Sequence, residues 1–503
     1  MVEAVFTREC RPRVHGRGAR RSVKRRLGGL AALLGVVLAA SNLGSTMPLA
    51  VAVISAETKA SYFCKSFYHA SILPLLGATV ALAWLARPSI SGQLPEGFSK
   101  FRSNYLSVWC LCVAADWLQG PYVYALYAAY GYSGREIAQL FVTGFLSSMV
   151  FGCVVGTVAD KFGRKRTCLA YCIFYIVSCL TKHCNNYWTL MFGRLTGGIA
   201  TSMLFSAFEC WMVSEHTVRH HFSGDLLSYM FGLMFSLMYC VAIVSGFVSQ
   251  SVVDHFPFRP VSEGSAIHVG GFTCPFDLSI LCLIAGFSII SLRWDENFGG
   301  GGASGKSMLG RLSEACQQLK SMRVTLLGLV VACFEGAMFA FVFNWTPALD
   351  VEGAETPHGL IFAAFMMACM CGASSATVIG SSLAPAARLA LVLALATVSL
   401  AAVAAAAGVR ELLPLCFGSF LVFEFCVGVY FPAVGILKSE VVPENVRTTV
   451  YNLYRIPLNA VVVGLLLSNV SVVQCFRFSA VLVAVALAGM FGLSWRVWAG
   501  RPK

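Results

Sequence analysis

The sequence predicts an all-α membrane protein: a twelve-helix core in two six-helix halves, preceded by one or two extra apolar helices. Three observations predict it. Hydrophobic residues make up 57% of the chain and charged residues only 12%, where a soluble domain carries about 25% charged. Apolar runs recur at the length a bilayer demands, about 20 residues at 1.5 Å each. The basic residues between those runs are many in one turn and few in the next, as charge-biased insertion requires. The net charge of +13 is therefore no sign of nucleic acid: residues 1–26 alone hold nine Lys/Arg against Glu3 and Glu9.

Taken in order, the chain opens with that Arg-rich leader at 1–26. Extra hydrophobic segments near 28–54 and 69–86 fill 27–97. The first contains Ser41-Asn42-Leu43-Gly44-Ser45-Thr46 and reads equally as a fourteenth span or as part of a targeting sequence, basic and acid-poor at its start. Spans near 104–127, 136–158, 167–183, 187–212, 226–253 and 274–292 make an N-terminal half at 98–292. A cytoplasmic linker at 293–322 is Gly-rich and then amphipathic. Spans near 323–346, 358–380, 386–407, 412–437, 448–469 and 475–498 make a C-terminal half at 323–503.

The turn between the second and third core spans is short and strongly cationic: Gly156-Thr157-Val158-Ala159-Asp160-Lys161-Phe162-Gly163-Arg164-Lys165-Arg166. Gly156 suits a close helix approach, Asp160 a helix cap or an arginine partner, and Gly163 a tight reversal. With this turn inside, the cytoplasmic turns hold Lys161, Arg164, Lys165, Arg166, Arg219, Arg293, Lys306, Arg311, Lys320, Arg323, Arg388, Lys438 and Arg447. The opposite turns hold Arg135, Lys182, Arg259 and Arg410. The run resembles the signature loop of the major facilitator superfamily, G-x-x-[AS]-D-[RK]-x-G-R-[RK], with every fixed position filled. The resemblance implies that Gly156, Asp160, Gly163, Arg164 and Lys165 serve gating and do not touch cargo.

Charges at membrane depth are the candidate site. A charged group there costs about 2.5 kcal/mol or far more and usually marks a pathway or a buried partner. Asp116, Glu209, Glu335 and Glu424 fall in core helices 1, 4, 7 and 10, and Phe205-Ser206-Ala207-Phe208-Glu209 echoes Phe420-Leu421-Val422-Phe423-Glu424. In the resembled superfamily those helices line the central cavity. Each carboxylate has a plainer role open to it, locking helices through an arginine or a backbone donor, Glu209 above all because the signature arginines lie near. Arg194 and Arg455 offer fixed donor forks suited to an oxyanion. Arg194 has a second option, neutralising Asp116 at similar depth, about 10 Å into its helix. Arg455, without an evident partner, is the preferred anion contact, with Asn452 beside it.

Four stretches narrow the resemblance: Asp116-Trp117-Leu118-Gln119-Gly120-Pro121-Tyr122, Leu204-Phe205-Ser206-Ala207-Phe208-Glu209-Cys210-Trp211, Phe343-Asn344-Trp345-Thr346-Pro347, and Tyr451-Asn452-Leu453-Tyr454-Arg455-Ile456-Pro457-Leu458-Asn459. They resemble the molybdate-anion transporter branch of the superfamily over roughly residues 98–498. That implies uptake of a tetrahedral oxyanion and one helix before the core, so the segment at 28–54 is a departure. Residues 384–410 carry no word of this family, and the second-half counterpart of the signature loop is reduced to Arg388.

Other signals are declined. The run 300–307 fits G-x-x-x-x-G-K-[ST], yet that motif works between a strand and a helix of an α/β domain, and here it is a Gly linker. His216, His220 and His221 lack a third kind of metal ligand nearby. The sequons at Asn344 and Asn469 hug helix ends. Most of the twenty cysteines lie in apolar runs and read as reduced packing residues.

The expectation is a secondary active transporter importing molybdate by alternating access. A proton on Asp116 or Glu335 would offset the repulsion between a buried carboxylate and an incoming dianion. The rivals are the same machine for a sugar or organic anion, and a membrane sensor without turnover. No catalytic set appears at membrane depth, so an enzyme is not expected. The chain is expected to work as a monomer in a lipid bilayer, with a small inorganic anion as ligand and no cofactor, metal or nucleic acid. The plasma membrane is the expected site, or an organelle membrane if the leader is a targeting sequence.

Overall fold

The computed structural model describes residues 56–90, 94–298, 313–314, 316–350, 356–380, 383–443, 447–468 and 470–499. The side chains of residues 56–66, 448, 452 and 494–499 are outside that description. The leader, the segment at 28–54 and the Gly run at 300–307 also lie outside the described residues.

Helix α1 (Ala56–Ala86) precedes the core. Core span 1 is α2 (Phe98–Gln119) continued through a tight turn at Gly120–Tyr122 into α3 (Val123–Ala129). Span 2 is α4 (Gly134–Gly152) with α5 (Val155–Phe162), and span 3 is α6 (Arg164–Thr181). Span 4 is α7 (Tyr187–Leu204) with α8 (Ala207–Ser214); α9 (Gly224–His255) and α10 (Cys274–Arg293) are spans 5 and 6. The second half runs α11 (Met322–Leu349), α12 (His358–Ile379), α13 (Pro385–Ala406), α14 (Leu413–Val441), α15 (Arg447–Leu467) and α16 (Val472–Ala499). The core thus has its twelve helices, six and six.

Helix ends follow local chemistry. Ser133 and Glu136 form a capping box at α4, with the Ser133 amide donating to Glu136 Oε2 at 2.8 Å and the Glu136 amide to Ser133 Oγ at 3.4 Å. Asn186 and Ser223 accept from Thr189 and Leu226 amides to start α7 and α9. In the long turn between spans 5 and 6, β1 (Arg259–Pro260) pairs antiparallel with β2 (His268–Val269), Arg259 opposite Val269.

Among the described residues nine helices are long and apolar enough to cross a bilayer, ten when α4 and α5, bent by 50° at their break, count as one. Spans 1, 3 and 4 fall short of that test. Each is interrupted or carries charge: Asp116 and Pro121 in span 1, the arginine-rich start of α6, and Arg194, Glu209 and the break at Phe205 and Ser206 in span 4. Three candidate residues, Asp116, Arg194 and Glu209, sit at these departures from an apolar rod.

The helices gather into two compact units. In one, α4 and α6 pack on α7, and α10 packs on α2. In the other, α12 and α13 pack on α14, and α16 packs on α11 and α13. Helix α1 belongs with this second unit although it precedes the first in sequence. The Tyr68 ring meets Phe417 edge-on at 4.9 Å, and Thr79 Oγ1 lies 3.3 Å from Cys371 Sγ. Its other face, with Leu73, Val80 and Trp84 at 60–76% exposure, remains bare for lipid.

Three cations expected in turns are buried instead: Lys182 at 1%, Lys438 at 3% and Arg388 at 6% exposure. Long methylene stems let such side chains reach into a bundle from a helix end. Arg388 Nη1 donates to the Ala376 carbonyl at 3.1 Å, so the cation meets the negative end of α12.

Candidate functional site

The signature run is a bent helix end and a one-residue reversal. Residues Val155–Phe162 are helical and α6 begins at Arg164, so the chain turns at Gly163 alone, with φ 108° and ψ 133°. Arg164 closes the turn by donating through Nε and Nη2 to Asp160 Oδ1 at 2.9 and 2.7 Å. Its Nη1 donates to the Cys210 carbonyl in α8 at 3.2 Å. Gly156 does not serve a close helix approach as expected, because a Cβ there would meet nothing within 4 Å. The close approach is at Gly163, where a Cβ would sit 2.5–2.7 Å from the Glu296 carboxylate.

Glu296 escaped the sequence reading. It follows α10, yet its carboxylate accepts from the Lys165 and Arg166 amides at 2.7 and 3.2 Å, capping α6 from 130 residues away. The neighbouring residues fasten the same strap. Trp294 stacks on Trp211 at 3.7 Å, the Trp211 indole donates to the Asp295 carbonyl at 2.9 Å, and Arg219 pairs with Asp295 at 2.5 Å. Lys165 Nζ reaches the Ser291 carbonyl at 3.0 Å.

Deeper in this unit, Asp116 on α2 accepts a hydrogen bond from the Tyr175 hydroxyl of α6. Gln119, one turn on, donates to the Ala115 carbonyl at 2.8 Å and lies 3.7 Å from Cys179 Sγ. Arg194 is not the partner of Asp116: among the described residues no ion pair joins them. Its Nε donates to the Leu140 carbonyl at 3.1 Å and its guanidinium lies 4.6 Å over the Phe141 ring. Glu209 is buried beside Tyr105, while Arg164 takes the carbonyl of the next residue.

The second unit holds the more compact cluster. Glu335, mid-way along α11, accepts from the Tyr430 hydroxyl of α14 at 3.2 Å, and Lys438 of α14 places Nζ 3.7 Å from the same Oε1. The Tyr430 ring stacks on Phe334 at 4.0 Å, which holds the hydroxyl in place. Lys438 Nζ also lies 5.3 Å over the Tyr451 ring of α15. Arg455, exposed on α15, is close enough for its charge to act on both Glu335 and Lys438. Tyr454 sets that helix in place, with its hydroxyl on the Val324 carbonyl at 2.6 Å and its ring against Gly328. Glu424 is buried and hydrogen-bonded with the Cys369 thiol, apart from this group. The Asn452 side chain lies outside the described residues.

The structure therefore joins Glu335 with Lys438 and Tyr430, neither of which was selected from sequence, and leaves Arg455 exposed on the neighbouring α15. Of the declined signals, Asn344 is 6% exposed inside α11 and donates to the Ala340 carbonyl at 2.9 Å. The His216 ring is enclosed by Phe98, Phe101 and Phe222.

A family model described as sugar transporters with twelve transmembrane segments, within the major facilitator superfamily, matches residues 67–429. The molybdate-anion transporter of Danio rerio is 32% identical over 426 residues, covering 78% of this chain and 85% of that protein. The molybdate-anion transporter of Xenopus tropicalis is 31% identical over 385 residues, covering 74% and 80%. Among solved structures, a nucleoside transporter aligns with a TM-score of 0.58 at 11% identity over 78% of this chain and 99% of its own. An auto-inhibited POT family peptide transporter aligns with a TM-score of 0.61 at 10% identity over 80% and 98%. At such identities the solved structures speak to the fold alone.

Proposed function

Because the chain belongs to the molybdate-anion transporter family of the major facilitator superfamily, we propose that it imports molybdate by alternating access, with one proton taken up beside the anion. It is an integral multi-pass membrane transporter and not an enzyme. The Glu335–Lys438 pair with Arg455 beside it is the observation that carries the anion reading. Lys438 and Arg455 together supply two positive charges, which match a tetrahedral dianion. In the empty site Glu335 stands in as the anion on Lys438. When molybdate arrives, a proton on Glu335 leaves charge balanced, whereas an ionised Glu335 would leave a buried excess negative charge. The Tyr430 hydroxyl then remains a donor free to follow either partner.

Uptake of labelled molybdate by cells expressing the chain tests this reading. Arg455→Ala and Lys438→Met are each expected to lower uptake at least about tenfold, since a hydrogen bond to a charged group is worth about 1.5–3 kcal/mol. Glu335→Gln is expected to flatten the rise of uptake with falling external pH. Full uptake by Arg455→Ala removes the anion contact, and an unchanged pH profile in Glu335→Gln removes the coupled proton. A second reading, a sugar as cargo, is favoured by the description of the matching family model. Excess sulfate or tungstate competes with labelled molybdate on the first reading and sugars do not; the opposite pattern establishes the second.

A further inference from the structure

Lys182, just past the end of α6, is 1% exposed, and its ammonium has no hydrogen-bond partner among the described residues. It lies 5.6 Å from the centre of the buried Tyr127 ring, whose hydroxyl is within reach of the Arg194 guanidinium. Arg194, on the adjacent α7, adds a second positive charge that acts on both groups. Asp277 of α10, a helix packed on α6, is taken by His183 Nε2 at 2.9 Å. No carboxylate pairs with Lys182 among the described residues.

This grouping is costly as it stands. Desolvating an unpaired ion costs more than a cation–π contact returns. An ammonium and a guanidinium have only donors to offer and cannot satisfy each other. What they fit together is an acceptor-only ligand of double negative charge. Space is kept for them by Gly193, where a Cβ would fall 1.8 Å from Thr181 Oγ1 and 3.1 Å from Lys182 Nζ. We infer that Lys182, Arg194 and Tyr127 form a second oxyanion site within the first unit, at the ends of spans 3 and 4 remote from the signature turn. It is separate from the Lys438–Arg455 group, and its assignment to a tetrahedral dianion rests on the oxyanion reading of the cargo.

Purified full-length protein in detergent is titrated with sodium molybdate, sodium sulfate and sodium chloride at fixed ionic strength, following both the unfolding midpoint and bound labelled molybdate. Wild type is expected to bind about two molybdate ions per chain, and Lys182→Met and Arg455→Ala about one each, with the stabilisation scaling accordingly. Lys182→Arg keeps both. Without anion, Lys182→Met raises the midpoint, because an unpaired buried cation is gone; a misfolded variant would lower it. Two ions bound by Lys182→Met overturn the inference and leave the cargo reading intact. Sulfate bound through Lys182 with no molybdate bound anywhere supports the site and overturns the cargo reading. Equal stabilisation by chloride overturns the oxyanion class.

Discussion

His216, in the turn after span 4, has none of its surface exposed. Its Nε2 lies 3.0 Å from the Ser223 carbonyl, while Nδ1 is buried with no acceptor among the described residues. The neutral tautomer with its proton on Nε2 fits that shell, and a second N–H does not. Burial, and to a smaller degree His220, hold the ring below its ordinary value of 6.5. The folded state therefore resists protonation more than the unfolded state does, and stability is lost as pH falls below about 6.5. The unfolding midpoint of wild type is expected to drop between pH 7.5 and 5.5, and His216→Phe, set among three phenylalanines, to drop less. Equal drops in the two proteins would assign the loss to other groups. A residue's fate was only partly legible in the sequence. Asp116, Glu335 and Arg455 stand out because charge inside an apolar run is rare. Lys438 and Lys182 sit at the ends of such runs, where a linear pattern cannot tell a solvated head from one drawn inward on its own stem.

At the scale of elements, Gly163 and Gly156 share one run and have opposite sensitivities. Gly163 combines φ 108° with a carboxylate 2.5–2.7 Å from any added Cβ. Gly156 is helical with open space around it. Gly163→Ala is expected to cost about 1–3 kcal/mol in backbone strain alone, and Gly156→Ala to be neutral or to gain up to about 1 kcal/mol. Thermal unfolding of the two variants checks this, and a similar loss in both would mean that the turn is not what strains. The helices were legible from apolar length and the turn from its spacing of Gly, Asp and Arg. The clasp by Glu296 was not, because a cap supplied from 130 residues away leaves no local pattern. For the same reason the partner of Asp116, Tyr175, is invisible until α2 and α6 are packed.

Over the whole molecule the least expected finding is the allegiance of α1. Read linearly, it is a prefix to the first half; by its contacts it is a piece of the second. The test is covalent. With Thr79 Oγ1 3.3 Å from Cys371 Sγ, Thr79→Cys is expected to cross-link to Cys371 under mild oxidation. After proteolytic cleavage in the linker, the N- and C-terminal fragments should then run together as one band in a non-reducing gel and separate on reduction, and fragments already separate without reductant would contradict the assignment. This arrangement also sets a schedule for biosynthesis. Thr79 leaves the ribosome 292 residues before its neighbour Cys371, a wait of roughly 15 to 60 s at about 5–20 residues per second. Through that interval α1 sits in the bilayer without its mate, so a bundle of six helices is complete before the first-made helix finds its place.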